Sequence, residues 1–123
     1  MNRSDLVKRL EGLPGAKAGH PFGPDALVFK VGSRMFGIVS EDEPLRLSLK
    51  CDPDFALELR AQYGSVAAGY HLNKRHWNTI TIDGEVPDDE IVELMEHSHG
   101  LVLDALPKRV RQIALEGLHS LAG

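Results

Sequence analysis

Between residues 45 and 51 the chain alternates with a period of two. Leu45, Leu47, Leu49 and Cys51 are apolar, whereas Arg46, Ser48 and Lys50 are polar. Only an extended strand sends successive side chains to opposite sides, so this stretch calls for a sheet with one buried face and one wet face. Asp52-Pro53 follows at once. Aspartate can cap a helix N-terminus, and proline fits the first helical position, where no N–H is needed. A half-wet strand leading directly into a helix points to helices laid against one side of a sheet.

The flanking pattern agrees. Ser4 is a candidate cap for a first helix with an apolar stripe of Leu6, Val7, Leu10 and Leu13, ended by Gly12 and Pro14-Gly15. Residues 17–22 suit a short edge strand. Residues 26–31 and 34–40 read as a hairpin about Gly32-Ser33. After Pro53, the four-residue spacing of Phe55, Leu59 and Tyr63 marks one side of a second helix, stopped by Gly64. Residues 66–72 and 77–83 read as two further strands. A third helix starts at Pro87-Asp88, with Ile91, Leu94, Met95, Ser98 and Val102 facing inward and Gly100 as a point of bending. Pro107 restarts a last helix carrying Val110, Ile113, Ala114 and Leu118. The expected fold class is α+β: a two-layer sandwich, an antiparallel β-sheet with helices on one face.

Its 123 residues make one domain, 1–123. One cysteine, Cys51, excludes an intrachain disulfide and a cysteine metal cage. The first residues lack the apolar run of a signal peptide, and no segment approaches the ~20 apolar residues of a membrane span. A cytoplasmic monomer is therefore expected. Net charge is −4, yet residues 83–106 hold eight acids and no Lys or Arg, so the rest of the chain is net basic. A local basic face is compatible with the acidic total.

The stretch 69–82 concentrates chemistry. It holds the single tryptophan, Trp77, together with Tyr70, His71, Asn73, Lys74, Arg75 and His76. If Ile80 and Ile82 face the helices, then Trp77, Thr79 and Thr81 point away from them, on the same side as Arg46, Ser48 and Lys50. A bulge before Asn78 would reverse Trp77.

These residues also carry a resemblance. The run Tyr70-His71-Leu72-Asn73-Lys74-Arg75-His76-Trp77-Asn78-Thr79-Ile80, with Gly19-His20-Pro21-Phe22, Met35-Phe36-Gly37, residues 47–53 and Ser98-His99-Gly100-Leu101-Val102, resembles the MmcQ/YjbR family of small bacterial proteins. The family usually has Tyr where this chain has His99. The resemblance implies a CyaY-like fold and a DNA-binding protein with a double-wing arrangement. Kinship with frataxins is one of fold, so iron binding does not follow.

Three functions compete for these residues. In the first, a DNA-binding module, Lys50, Lys74 and Arg75 meet phosphates while Trp77 and Tyr70 stack on bases and His71 and Asn73 donate hydrogen bonds. In the second, the same surface with His76 takes a small anionic ligand or a protein partner. The third is an enzyme pairing Cys51 with His71 or His76. Cys51 falls on the buried side of its strand, and no phosphate loop, carboxylate pair or nucleophile elbow is visible. A non-enzymatic binding protein is thus expected, with no catalytic residue, cofactor or metal. His97 and His99 would diverge on a helix, whereas His71 and His76 could meet across a turn.

Overall fold

A computed structural model describes residues 1–69 and 71–122, with side chains through residue 116. The elements run α1 (Arg3–Glu11), β1 (Ala16–Gly19), β2 (Ala26–Val31), β3 (Arg34–Ser40), β4 (Arg46–Lys50), α2 (Pro53–Gln62), β5 (Val66–Ala68), β6 (Trp77–Thr81), α3 (Asp88–Ala105) and α4 (Lys108–Ala122). The strands form one antiparallel sheet in the order β1-β2-β3-β4-β6-β5. Helices α1, α2 and α3 pack on one face of it. The expected α+β architecture is present.

Local chemistry accounts for most element ends. Asn2, rather than Ser4, caps α1: its side chain accepts from the Asp5 N–H at 2.8 Å, and the Asp5 carboxylate accepts from the Asn2 N–H at 3.1 Å. Asp52 caps α2, with Pro53 in its first turn. Gly32 takes the left-handed φ of 61° that the tight β2–β3 turn requires. The first strand stops at Gly19, so Pro21 and Phe22 lie on a turn, and α3 runs through Gly100 without interruption. Leu106, between α3 and α4, and Val110 of α4 approach Gly32, and Ala114 of α4 packs on the core. The Leu118 side chain lies outside the described residues.

The core is the apolar layer between sheet and helices. Leu47 and Leu49 enter it from β4, Ile80 from β6, Phe29 and Val31 from β2, and Leu6 and Leu10 from α1. Strand β3 enters it irregularly. Phe29 pairs with Gly37 but Lys30 pairs with Met35, so Phe36 is an extra residue. This bulge turns Phe36 into the core and leaves Met35 facing out.

The bulge also explains Ser98. The β3–β4 register pairs Gly37 with Leu49, Ile38 with Ser48 and Val39 with Leu47. Phe36 and Lys50 would be the next pair, but the α3 hydroxyl stands between them. The Lys50 N–H donates to Ser98 Oγ at 2.9 Å, and Ser98 Oγ donates to the Phe36 carbonyl at 2.5 Å. The expected inward position is right, but the hydroxyl bridges two strands of the sheet. It serves as a hydrogen-bonded step in the ladder.

Candidate functional site

Cross-strand partners share a face of the sheet. The pairs Lys50–Trp77, Ser48–Thr79 and Arg46–Thr81 therefore lie together on the side away from the helices, as strand parity required. No bulge precedes Asn78, which pairs with Leu49 and points to the core.

Trp77 is nevertheless not displayed. Only 7% of it is exposed, although it lies outside the main core cluster. The turn before it folds back tightly. Gly69 N–H donates to the Trp77 carbonyl at 2.8 Å, and the His76 and Trp77 N–H groups both donate to the Asn73 carbonyl. A Cβ on Gly69 would sit 2.7 Å from that of Trp77, so only glycine allows this approach. The same closure ends β5 at Ala68, short of the expected residue 72.

Arg60, which the sequence reading passed over, fastens this turn from below. Its Nε donates to Asn78 Oδ1 at 2.7 Å, and its terminal nitrogen donates to the carbonyls of Trp77, at 3.2 Å, and Lys74. Asn78 in turn donates to the Ala56 carbonyl at 3.3 Å. One guanidinium thus joins α2, β6 and the turn. Much of the distinctive 71–77 motif serves this internal framework.

The expected binding residues consequently differ in exposure. Asn73 Oδ1 is engaged by the Arg75 N–H at 3.0 Å. His76 is half-buried, and its carbonyl accepts from the Cys51 N–H at 2.7 Å. Lys74 and Arg75 are exposed on the turn, while Lys50 is half-buried beside Trp77. His71 is exposed, with a left-handed φ of 58°. Tyr70 lies outside the described residues. The expected exposed indole among cations does not form, because Trp77 is only 7% exposed although it faces the side of Lys50.

What the open face does carry is a concavity of about 670 Å³. Its floor is Ala26, Met35, Ile38, Ser48 and Thr79; Phe22 stands on one side, His71 and Leu72 on the other. Asp25, Asp42 and Arg46 mark its polar end. That end is fixed by Ser40, whose hydroxyl accepts from the Arg46 N–H at 2.8 Å and lies 3.3 Å from the Asp42 carbonyl. Ser48 and Thr79 hydroxyls lie 2.8 Å apart on the floor. Phe22 is 67% exposed, unusual for a large apolar ring. Of the eight residues expected to bind, His71 alone among those described lines this surface. Met35 escaped the sequence reading because regular alternation puts it inside; only the bulge puts it out.

Other candidates resolve structurally. Cys51 is buried, and burial, then the charge of Asp52, pushes its thiol up to about 11. The void beside it, about 10 Å³, admits no substrate. His97 accepts from the Asp52 N–H at 3.3 Å and meets the Phe55 ring edge-on; His99 pairs with the Pro14 carbonyl at 2.7 Å and the Phe36 ring. His20 lies 3.4 Å from Glu41. Among the described residues no group of three or more His, Cys, Asp or Glu is placed to hold a metal ion, and no helix is long and apolar enough to cross a membrane.

Comparison with known proteins follows the motif. Residues 11–101 match the model of the YjbR family. The chain is 33% identical over 117 residues to the uncharacterized protein YjbR of Escherichia coli (strain K12), covering 94% of this chain and 99% of that one. Against the uncharacterized protein YbdF of Escherichia coli O157:H7 it is 37% identical over 107 residues, covering 85% and 88%. The crystal structure of Deinococcus radiodurans protein DR2400, a DUF419 domain, superposes with a TM-score of 0.84 at 42% identity, over 90% of this chain and 86% of that one. A Pseudomonas syringae protein superposes with a TM-score of 0.72 at 25% identity, over 83% and 99%. With motif, fold and near full-length relatives in agreement, the chain belongs to the YjbR family.

Proposed function

We propose that this protein is a non-enzymatic binding protein that holds a small, partly apolar anion in the concavity of its open sheet face. The observation that carries the reading is the concavity itself. Its volume, about 670 Å³, falls in the range of small-molecule sites, and an apolar floor with a few converging polar groups is their usual composition. The reading takes the protein to act as a cytoplasmic monomer. One feature weighs against the DNA reading: Trp77 is too buried to stack on a base.

The test is a thermal-shift screen of small organic anions, followed by carbon-13 spectra of the Met35 methyl. A true ligand at 100 times its Kd adds about 2.7 kcal/mol of stability, and it must move Met35. A ligand that raises Tm but leaves Met35 unmoved refutes the location. One observation keeps DNA as a second reading: Lys74 and Arg75 are both exposed on the turn. It requires oligonucleotide binding at low salt that is lost in the Lys74→Ala, Arg75→Ala double variant.

A further inference from the structure

The register of the open face measures the concavity and orders its chemistry. Arg46 lies in one cross-strand row with Thr81, Ser48 in the next with Ile38 and Thr79, and Met35 in the row beyond, opposite Lys30. Rows on one face are two residues apart, so from Arg46 to Met35 is about 13 Å. Among the residues that line the concavity, polarity falls along that line from a guanidinium through two hydroxyls to a thioether, with Lys30 half-buried beside Met35. The floor offers no flat ring for stacking, and Met35 adapts to irregular apolar shapes.

The charges are equally directional. Arg46 is the only Lys or Arg among the described residues that line the concavity. Its partner Asp42 lies 3.8 Å away, with 40% of the Arg46 side chain and 69% of the Asp42 side chain exposed, which makes a weak pair. An incoming carboxylate can take the guanidinium with two parallel hydrogen bonds, releasing Asp42 to water. Asp25 and Asp42 stand close by and repel a second negative charge.

We propose that the ligand is a single-headed amphiphile about 13 Å long, its carboxylate on Arg46 and its hydrocarbon body along Ile38 to Met35. This rests on the reading of the concavity as the ligand site. Monoanions are selected over dianions and over cations of equal length.

The experiment uses the full chain with carbon-13 methionine methyls and four ten-carbon probes below their micelle-forming concentrations. These are decanoate, decyl phosphate, decyltrimethylammonium and 1-decanol. Decanoate is expected to shift the Met35 methyl and to bind about tenfold tighter than the other three, as one charged hydrogen-bonded contact allows. Arg46→Gln should bring decanoate down to the level of 1-decanol and leave 1-decanol unchanged. Equal or tighter binding of decyl phosphate or decyltrimethylammonium overturns the head-group assignment, as does an unchanged decanoate Kd in Arg46→Gln. The concavity would then still stand as a site. If none of the four moves Met35, the site reading falls as well.

Discussion

Replacing Ser98 with alanine removes one oxygen atom and strands two backbone groups. Ser98 is fully buried, and its hydroxyl satisfies the Phe36 carbonyl and the Lys50 N–H together. Each unsatisfied buried group costs about 1–3 kcal/mol. The Phe36 bond is buried and the Lys50 bond partly so, which puts the combined loss at about 3 kcal/mol. For a chain of this size that lowers Tm by roughly 10 °C. Urea unfolding followed through Trp77, the single and buried tryptophan, reads the loss directly. The midpoint should fall while the slope stays constant. Amide exchange at Lys50 should accelerate beyond its neighbours on β4. One physical alternative gives the opposite result: if β3 and β4 can close and pair Lys50 directly with Phe36, the hydroxyl is dispensable. A loss below about 0.5 kcal/mol, the range of ordinary surface substitutions, with Lys50 still protected, would refute the bridging role.

Arg60→Met keeps the length of the side chain but releases Asn78, Lys74 and Trp77. It should cost about 2–3 kcal/mol and speed amide exchange at His76 and Trp77; unaltered exchange there would show that the turn holds itself. Cys51 should resist Ellman's reagent in the native protein at pH 8 and react once unfolded. Its thiol is held near 11 against an ordinary 9.0, so the unfolded thiol ionises first and stability declines as pH rises from about 9 to 11. A Cys51→Ala variant that keeps the same decline would assign it elsewhere. The Ser65 hydroxyl, at 2.6 Å, and then the Glu85 N–H, at 3.1 Å, hold the Asp83 carboxyl below its usual value. Its contribution to stability is complete above the ordinary carboxylate range and lost as pH falls through the lowered value. Ser65→Ala should move the Asp83 titration upward by NMR, and an unmoved titration would discount the hydroxyl.

Short-range constraints made much of this protein legible in its sequence. The alternation of residues 45–51, the Gly32 turn, the Asp52-Pro53 start of α2 and the Pro87-Asp88 start of α3 each act within a few residues, and each stands in the structure as expected. Parity correctly put Trp77 and Lys50 on one face, because pleating fixes direction locally. Exposure is another matter, since it depends on what the rest of the chain lays over a position. Trp77 is buried although its direction was foreseen. Met35 joins the concavity only because Phe36 bulges inward, and Ser98 reaches strand residues 48 and 62 positions away. Such contacts are set when sheet and helices close on one another, and no local pattern encodes them. Element types, and facing directions wherever no bulge intervenes, were therefore determined by the sequence alone; tertiary packing decided the rest, and which of the outward side chains water, or a ligand, can reach.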